Sequence, residues 1–435
     1  MISMKTAGIE PKEESNAVFL IKIGILALII RFCIGTAYYN IFISGLRAPV
    51  YAFDGEAYSI MGWYIALLLN GVNIFFLPNA LVPNDYAAIG GFFRTIADLQ
   101  GSFPAVCLYG INIYSYLVGI FYYLFGYSPV LLRLVNSVIS VGGAFLVYCI
   151  GKKVFNEKAA RIAFVLASFM PSFVLYSTSL LRDTLVNFLI LMVIYQALKI
   201  ESNARLRSVI LPIVLSLISI ALLYSLRPNA VSVFIIVAAF FLFIKFASAY
   251  RWTAVSLAGL ILAFPPIFNS ILVFLKSKLT LIFYQHIAFS SRGGFAFRLL
   301  PEHYYEYERM VDGSFLPNIT ASDLLNGCIG GIRIFLFEPS VFSAYKIQHF
   351  AALPQMILWY LIIAFACIGI IKAIRAPGIG KVALIGCLFI FTFSIGPSEA
   401  NAEALIRHRD MIVPVYMIFA AYGMVEMSRG KKDKI

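Results

Sequence analysis

The sequence predicts an all-α polytopic membrane protein, one transmembrane domain over residues 1–435 with about ten membrane-spanning helices. Composition is the first ground: 61% of residues are hydrophobic and 13% charged, where a soluble globular chain has about 45–50% and about 25%. Pattern is the second. The apolar residues come in unbroken runs such as ILALII and FIIVAAFFLFI, whereas strands of a membrane β-barrel alternate apolar and polar positions. The third is where charge falls. The net charge is +13, and Lys and Arg gather in short connections between apolar runs, where they suit an anionic leaflet. Nothing matches a nucleic-acid-binding module, so no nucleic-acid partner is expected. The six cysteines, Cys33, Cys107, Cys149, Cys328, Cys367 and Cys387, have no CxxC or Cys/His spacing for zinc and read as small core residues.

A helix rises about 1.5 Å per residue, so crossing about 30 Å of hydrocarbon takes about 20 apolar residues. Candidate runs are 17–40, 103–125, 130–150, 160–177, 184–200, 207–225, 228–247, 252–274, 353–372, 382–397 and 410–427, eleven in all. The polar N-terminus MISMKTAGIEPKEESN leads into the first run without a small-residue cleavage site, so that run is expected to be an uncleaved span. Basic connections should be cytoplasmic. They are Lys152, Lys153, Lys158 and Arg161; Lys199, Arg205 and Arg207; Lys245 and Arg251; Lys372, Arg375 and Lys381; and the tail from Arg429 to Lys434. With the N-terminus inside and all eleven runs crossing, each cluster would fall outside. Removing one crossing before residue 150 repairs them all. The run 103–125, with Tyr109, Asn112, Tyr114, Ser115, Tyr122 and Tyr123, is the interfacial one. Both termini are then cytoplasmic, with a first outer loop over 41–129 and a large outer loop over 276–351.

That register collects the acids on the outer side. Asp54 and Glu56 stand in YAFDGEAYSIMGW just past the first span; Asp183 follows SLLR; and GPSEANAEALIRHRD carries Glu399, Glu403, Arg407, His408, Arg409 and Asp410. Acids at a membrane edge need a partner or a task. Arg227, in LLYSLRPNAV, marks the outer end of a span, and guanidinium suits phosphate. Arg31 lies about 13 Å along the helix from Lys22, so one of the two is within hydrocarbon depth; Arg31 is expected to face the protein interior. Each feature also has a plain structural explanation: a solvated turn at DGE, an acid on a helix dipole at Asp183, a snorkelling anchor at Arg227, an interfacial collar at 407–410. His286, His303 and His349 have no metal spacing and read as loop histidines.

Taken together, the carboxylate pair after the first span, GYSPVLLRL opening the second, LLRD ending in Asp183, Arg227-Pro228 and the closing RHRDMIVP resemble the membrane-embedded GT-C glycosyltransferases. The resemblance is strongest to bacterial members akin to protein O-mannosyltransferases and aminoarabinose transferases, through about residues 17–275 and 330–427. It implies a GT-C-like bundle with juxtamembrane helices in the first outer loop, in a bacterial plasma membrane. The implied activity is inverting transfer of a sugar from a polyprenyl-phosphate carrier to a glycan, lipid or protein acceptor on the outer face. Asp54 would be the base on the acceptor, Glu56 and Asp183 would orient it or help hold a divalent metal, and Arg227, Arg409, Arg407 and Arg31 would serve the lipid phosphate. No cofactor is otherwise implied. This chain departs from the family pattern in reading D-G-E where adjacent acids are expected. A polysaccharide polymerase or ligase using Arg292, Arg298 and His303, and a lipid-linked sugar transporter, are the alternatives.

Overall fold

The computed structural model describes residues 15–38, 53–71, 113–202, 206–228, 231, 265–290, 297–305, 319–340 and 347–432. Regular structure among them is helical. In chain order the helices are α1 (Asn16–Tyr38), α2 (Phe53–Leu69), α3 (Ile113–Phe125), α4 (Pro129–Val154), α5 (Glu157–Phe169), α6 (Pro171–Ser177) and α7 (Asp183–Ser202). There follow α8 (Leu206–Leu226), α9 (Pro265–Ser290), α10 (Ala321–Phe337), α11 (Ile347–Arg375), α12 (Ile379–Ser398), α13 (Ala402–Arg409) and α14 (Val413–Lys432). Six of these are long and apolar enough to cross a membrane, or seven if the bent α5–α6 pair is one span. The chain is an integral membrane protein.

The last helix is the axis of the bundle. Every residue from Arg409 to Ala421 is buried, which is why VPVYMIFAAYG is apolar all round and carries no polar face. α11 crosses it closely. A Cβ on Gly369 would stand 2.0 Å from the Phe419 carbonyl, and one on Gly423 would stand 2.2 Å from the Phe365 carbonyl. Small residues let backbones approach where no hydrophobic effect drives helices together. Gly423→Leu should therefore push α11 and α14 apart and cost about 1–3 kcal/mol or more, as overpacking does. An unchanged melting curve in detergent would contradict the crossing. On α1, Ile21, Ile25, Ile29 and Phe32 lie on an exposed stripe, the lipid-facing side expected at helical spacing.

Contacts between distant segments sort the chain ends. Arg161 bonds Asn16 and stacks over Phe19 at 4.9 Å, Phe155 stacks on Tyr422 at 4.2 Å, and Lys381 lies over both rings. The start of α1, the α4–α5 junction, the start of α12 and the end of α14 therefore share one end of the bundle. The basic clusters around residues 152–161, 372–381 and 429–432 sit at that end. Asn156 caps α5 there by accepting from the Ala159 amide.

The structure differs from the sequence-based expectation in one place and adds detail in two others. The run 160–177 is two helices bent by 51°. Pro171 has no N–H and its ring clashes with the preceding turn. The boundary at residue 276, where the large outer loop was expected to begin, falls inside α9, and further on α10 meets α12 closely at Gly331 and Gly396. Lys276 and Lys278 made that stretch look like a loop, but both are exposed, and their long stems let a lysine ride on a helix with its ammonium in a polar layer. Within 103–125, the described residues 113–125 form α3. α3 packs against α2, with Ser59 and the Tyr122 hydroxyl 2.6 Å apart. The run 228–247, and 252–274 up to residue 264, lie outside the described residues apart from Pro228 and Val231.

Candidate active site

At the end of the bundle opposite the basic clusters, the short connection from α6 to α7 carries Asp183. Three side chains hold its carbonyls: Arg133 Nε donates to Thr178 at 3.0 Å, the Tyr114 hydroxyl to Leu180 at 3.0 Å and Asn136 to Leu181 at 3.2 Å. Leu180 is a non-glycine residue at φ 55°, a conformation that costs energy and persists only where the surroundings over-determine it. Arg133 is the arginine of GYSPVLLRL, so that motif works here by shaping the turn before Asp183. α2 comes down on the same turn. A Cβ at Gly55 would lie 1.8 Å from the Ser179 carbonyl oxygen, so only glycine permits the approach. The first turn of α2, with Asp54 and Glu56 on either side of Gly55, therefore abuts the Asp183 turn. The side chains of Asp54 and Glu56 themselves lie outside what is described.

Asp183 opens α7 and is almost fully buried. Arg227, just past α8, reaches one of its oxygens at 3.2 Å, and Arg407 on α13 reaches the other at 2.8 Å. Beside them the Glu399 carboxylate accepts from Nδ1 of His408. Burial opposes ionising Glu399, but His408 and then Arg227 outweigh it and lower its pKa. Burial, then Arg227, lowers that of His408. Arg182 lies over the Tyr58 ring at 5.7 Å, and its Nε has no hydrogen-bond partner. Three guanidiniums (Arg182, Arg227, Arg407) stand against two carboxylates (Asp183, Glu399), so the cluster is net positive.

Of the residues expected from sequence, the structure brings together Asp183, Arg227 and Arg407, and sets the Asp54–Glu56 turn beside them. Arg409 and Arg31 are engaged elsewhere. Arg409 is fully buried, donates to the Phe335 and Glu338 carbonyls at 3.1 and 2.9 Å and lies over Trp359 at 4.8 Å. Arg31 faces the interior as expected, donating to the Ser168 and Ala27 carbonyls and to Ser140. Sequence analysis missed Glu399–His408 as a unit. It also missed His286, a buried residue at the end of α9, and not a solvated loop histidine. The Tyr305 hydroxyl accepts from the Leu299 and Leu300 amides and donates to His286 Nε2, so Nδ1 carries the proton given to the Glu399 carbonyl. That chain ties the segment 297–305 to Glu399. No local motif in the sequence signals it. Arg298 pairs with Glu302 and covers Tyr305, His303 is exposed, and the side chain of His349 and all of Arg292 lie outside the described residues.

Among the described residues no three His, Cys, Asp or Glu side chains gather as metal ligands, and both oxygens of Asp183 face guanidiniums.

Residues 113–269 match the family model of dolichyl-phosphate-mannose-protein mannosyltransferases. In fold the chain is similar to the archaeal oligosaccharyltransferase AglB from Archaeoglobus fulgidus, solved in complex with an inhibitory peptide and a dolichol-phosphate. The TM-score is 0.51 at 12% identity, over 96% of this chain and 52% of that one, so this chain spans about half its length. No curated protein sequence matches. The architecture is an all-helical bundle similar in fold to that GT-C enzyme. The segment matched by the mannosyltransferase model, residues 113–269, includes Arg133, Asp183 and Arg227.

Proposed function

We propose that this protein transfers a sugar from a polyprenyl-phosphate carrier, with inversion, to a glycan, lipid or protein acceptor at the outer face of the membrane, with both termini cytoplasmic. The observation that carries the reading is the net-positive cluster around Asp183, set against the acidic first turn of α2 on a GT-C fold. Asp54 takes the proton of the acceptor hydroxyl as its oxygen attacks the anomeric carbon from the side opposite the phosphate. The bond from that carbon to the phosphate oxygen breaks, and polyprenyl phosphate leaves with the electron pair. Positioned cations stabilise the charge that develops on it. Arg227 and Arg407 are tied to Asp183, which fixes them in place. Arg182, held only by the Tyr58 ring among its described contacts, is the group best able to turn to the phosphate. The basic clusters at the opposite end support the cytoplasmic placement of the termini.

The test uses purified protein and polyprenyl-phosphate-linked sugars, with release of polyprenyl phosphate as the readout. Arg182→Gln removes a charge-assisted hydrogen bond worth about 1.5–3 kcal/mol, so donor affinity should fall by about 10- to 100-fold. Its melting temperature should stay near wild type, because no ion pair is lost. A folded wild-type protein that leaves every such donor intact would remove the proposal.

A further inference from the structure

Below the Asp183 cluster, α4, α5, α6, α7 and the head of α14 line a cavity of about 30 Å³. Its polar lining is Ser140, Tyr176, Thr184, Asn187 and Asp410; the rest is apolar, Val147 and Phe188 included. Asp410 sits in the turn between α13 and α14 and is 0% exposed. Both of its carboxylate oxygens and Oδ1 of Asn187 are buried without a hydrogen-bond partner. All three are acceptors, and the groups around them offer little in return. Arg409, the next residue, spends its guanidinium on the Phe335 and Glu338 carbonyls. The Ser172 hydroxyl, which accepts from Gln355, is the one donor that bears on Asp410. Asp183 adds a like charge, and Arg31 reaches the cavity wall only through Ser140.

An ionised carboxylate with no more than one hydroxyl to donate to it is costly to bury. We propose that this cavity is a proton-binding site, in which Asp410 is a neutral carboxylic acid at neutral pH and shares the space with one ordered water. The proton turns one of three orphan acceptors into a donor, and the water supplies two more donors. The volume exceeds the roughly 10–15 Å³ that a water needs. Burial raises the carboxyl from its ordinary 3.8 to about 8, Ser172 and Arg409 opposing the shift and Asp183 adding to it. The sign follows from the folded state holding the proton more tightly. The stability from this group is fully present below the ordinary carboxylate range and is lost as pH rises towards about 8.

Two measurements on the full-length protein in detergent test this. Infrared spectra of the wild type at neutral pH should contain a protonated-carboxyl stretch that Asp410→Asn lacks. The wild-type melting temperature should decline between about pH 5 and 8, and Asp410→Asn, which cannot ionise, should lack that component of the decline. The proposal is overturned if the band is absent from the wild type at neutral pH. It is equally overturned if Asp410→Asn follows the same decline. A third contrary outcome is a wild-type melting temperature that rises with sodium chloride but not with choline chloride, an effect lost in Asp410→Asn. The site would then hold a monovalent cation on an ionised Asp410. Should Asp410→Asn fail to fold, the wild-type band still decides.

Discussion

Replacing Asp54 with asparagine should leave donor binding intact and cut sugar transfer by about 10² or more, the scale expected for losing a positioned base. Asparagine is nearly isosteric and still hydrogen-bonds, but it cannot take the acceptor's proton. The expectation rests on the family resemblance and on the meeting of the α2 turn with the Asp183 turn. Glu56→Gln should be milder, because Gly55 separates the two acids and only one can take the base's position. Donor binding is measured in parallel, so loss of chemistry and loss of the carrier are separate results. If Asp54→Asn transfers sugar at the wild-type rate, another group is the base. His408, hydrogen-bonded to Glu399, would be the next to examine.

The second large effect is expected at Gly55. A methyl group there meets a backbone oxygen at 1.8 Å, and a carbonyl in a turn held by Arg133, Tyr114 and Asn136 has little freedom to withdraw. Gly55→Ala should force α2 off that turn and carry Asp54 and Glu56 with it. Misplacing a reacting group by about 1 Å costs on the order of 10² in rate, so transfer should fall nearly as far as in Asp54→Asn. Cation–π contact between Tyr58 and Arg182 should weaken as well, so donor affinity should fall too, unlike in Asp54→Asn. Gly378→Ala is the control, since nothing lies within 4 Å of a Cβ at that position. Wild-type transfer by Gly55→Ala would mean that α2 does not pack on the Asp183 turn as described.

Much of this protein was legible without coordinates, because a bilayer imposes simple rules on a chain. Continuous apolar runs announced the helices, and basic clusters sorted the connections. The bonded pair Arg161 and Asn16 now brings the N-terminal end of α1 and the first basic cluster to the same end. The resemblance singled out Asp183, Arg227 and Arg407 as well as GYSPVLLRL. Sequence determined, then, the class of protein, the likeness of its ends and the neighbourhood of its charges.

Tertiary structure decided which charges meet, since partners 44 and 224 residues from Asp183 carry no local signal of their pairing. It parted Arg407 from Arg409, two residues on the same short helix, because positions two apart on a helix face different sides. One turns to Asp183 and the other to carbonyls and Trp359. It gave Gly55 a reason that no turn rule contains, the approach of a distant backbone. It also showed His286 and Asp410 to be buried, where sequence saw a loop and an interface. Helix periodicity and charge patterns report on neighbours a few residues apart, whereas burial and pairing depend on packing among helices that the chain visits hundreds of residues later.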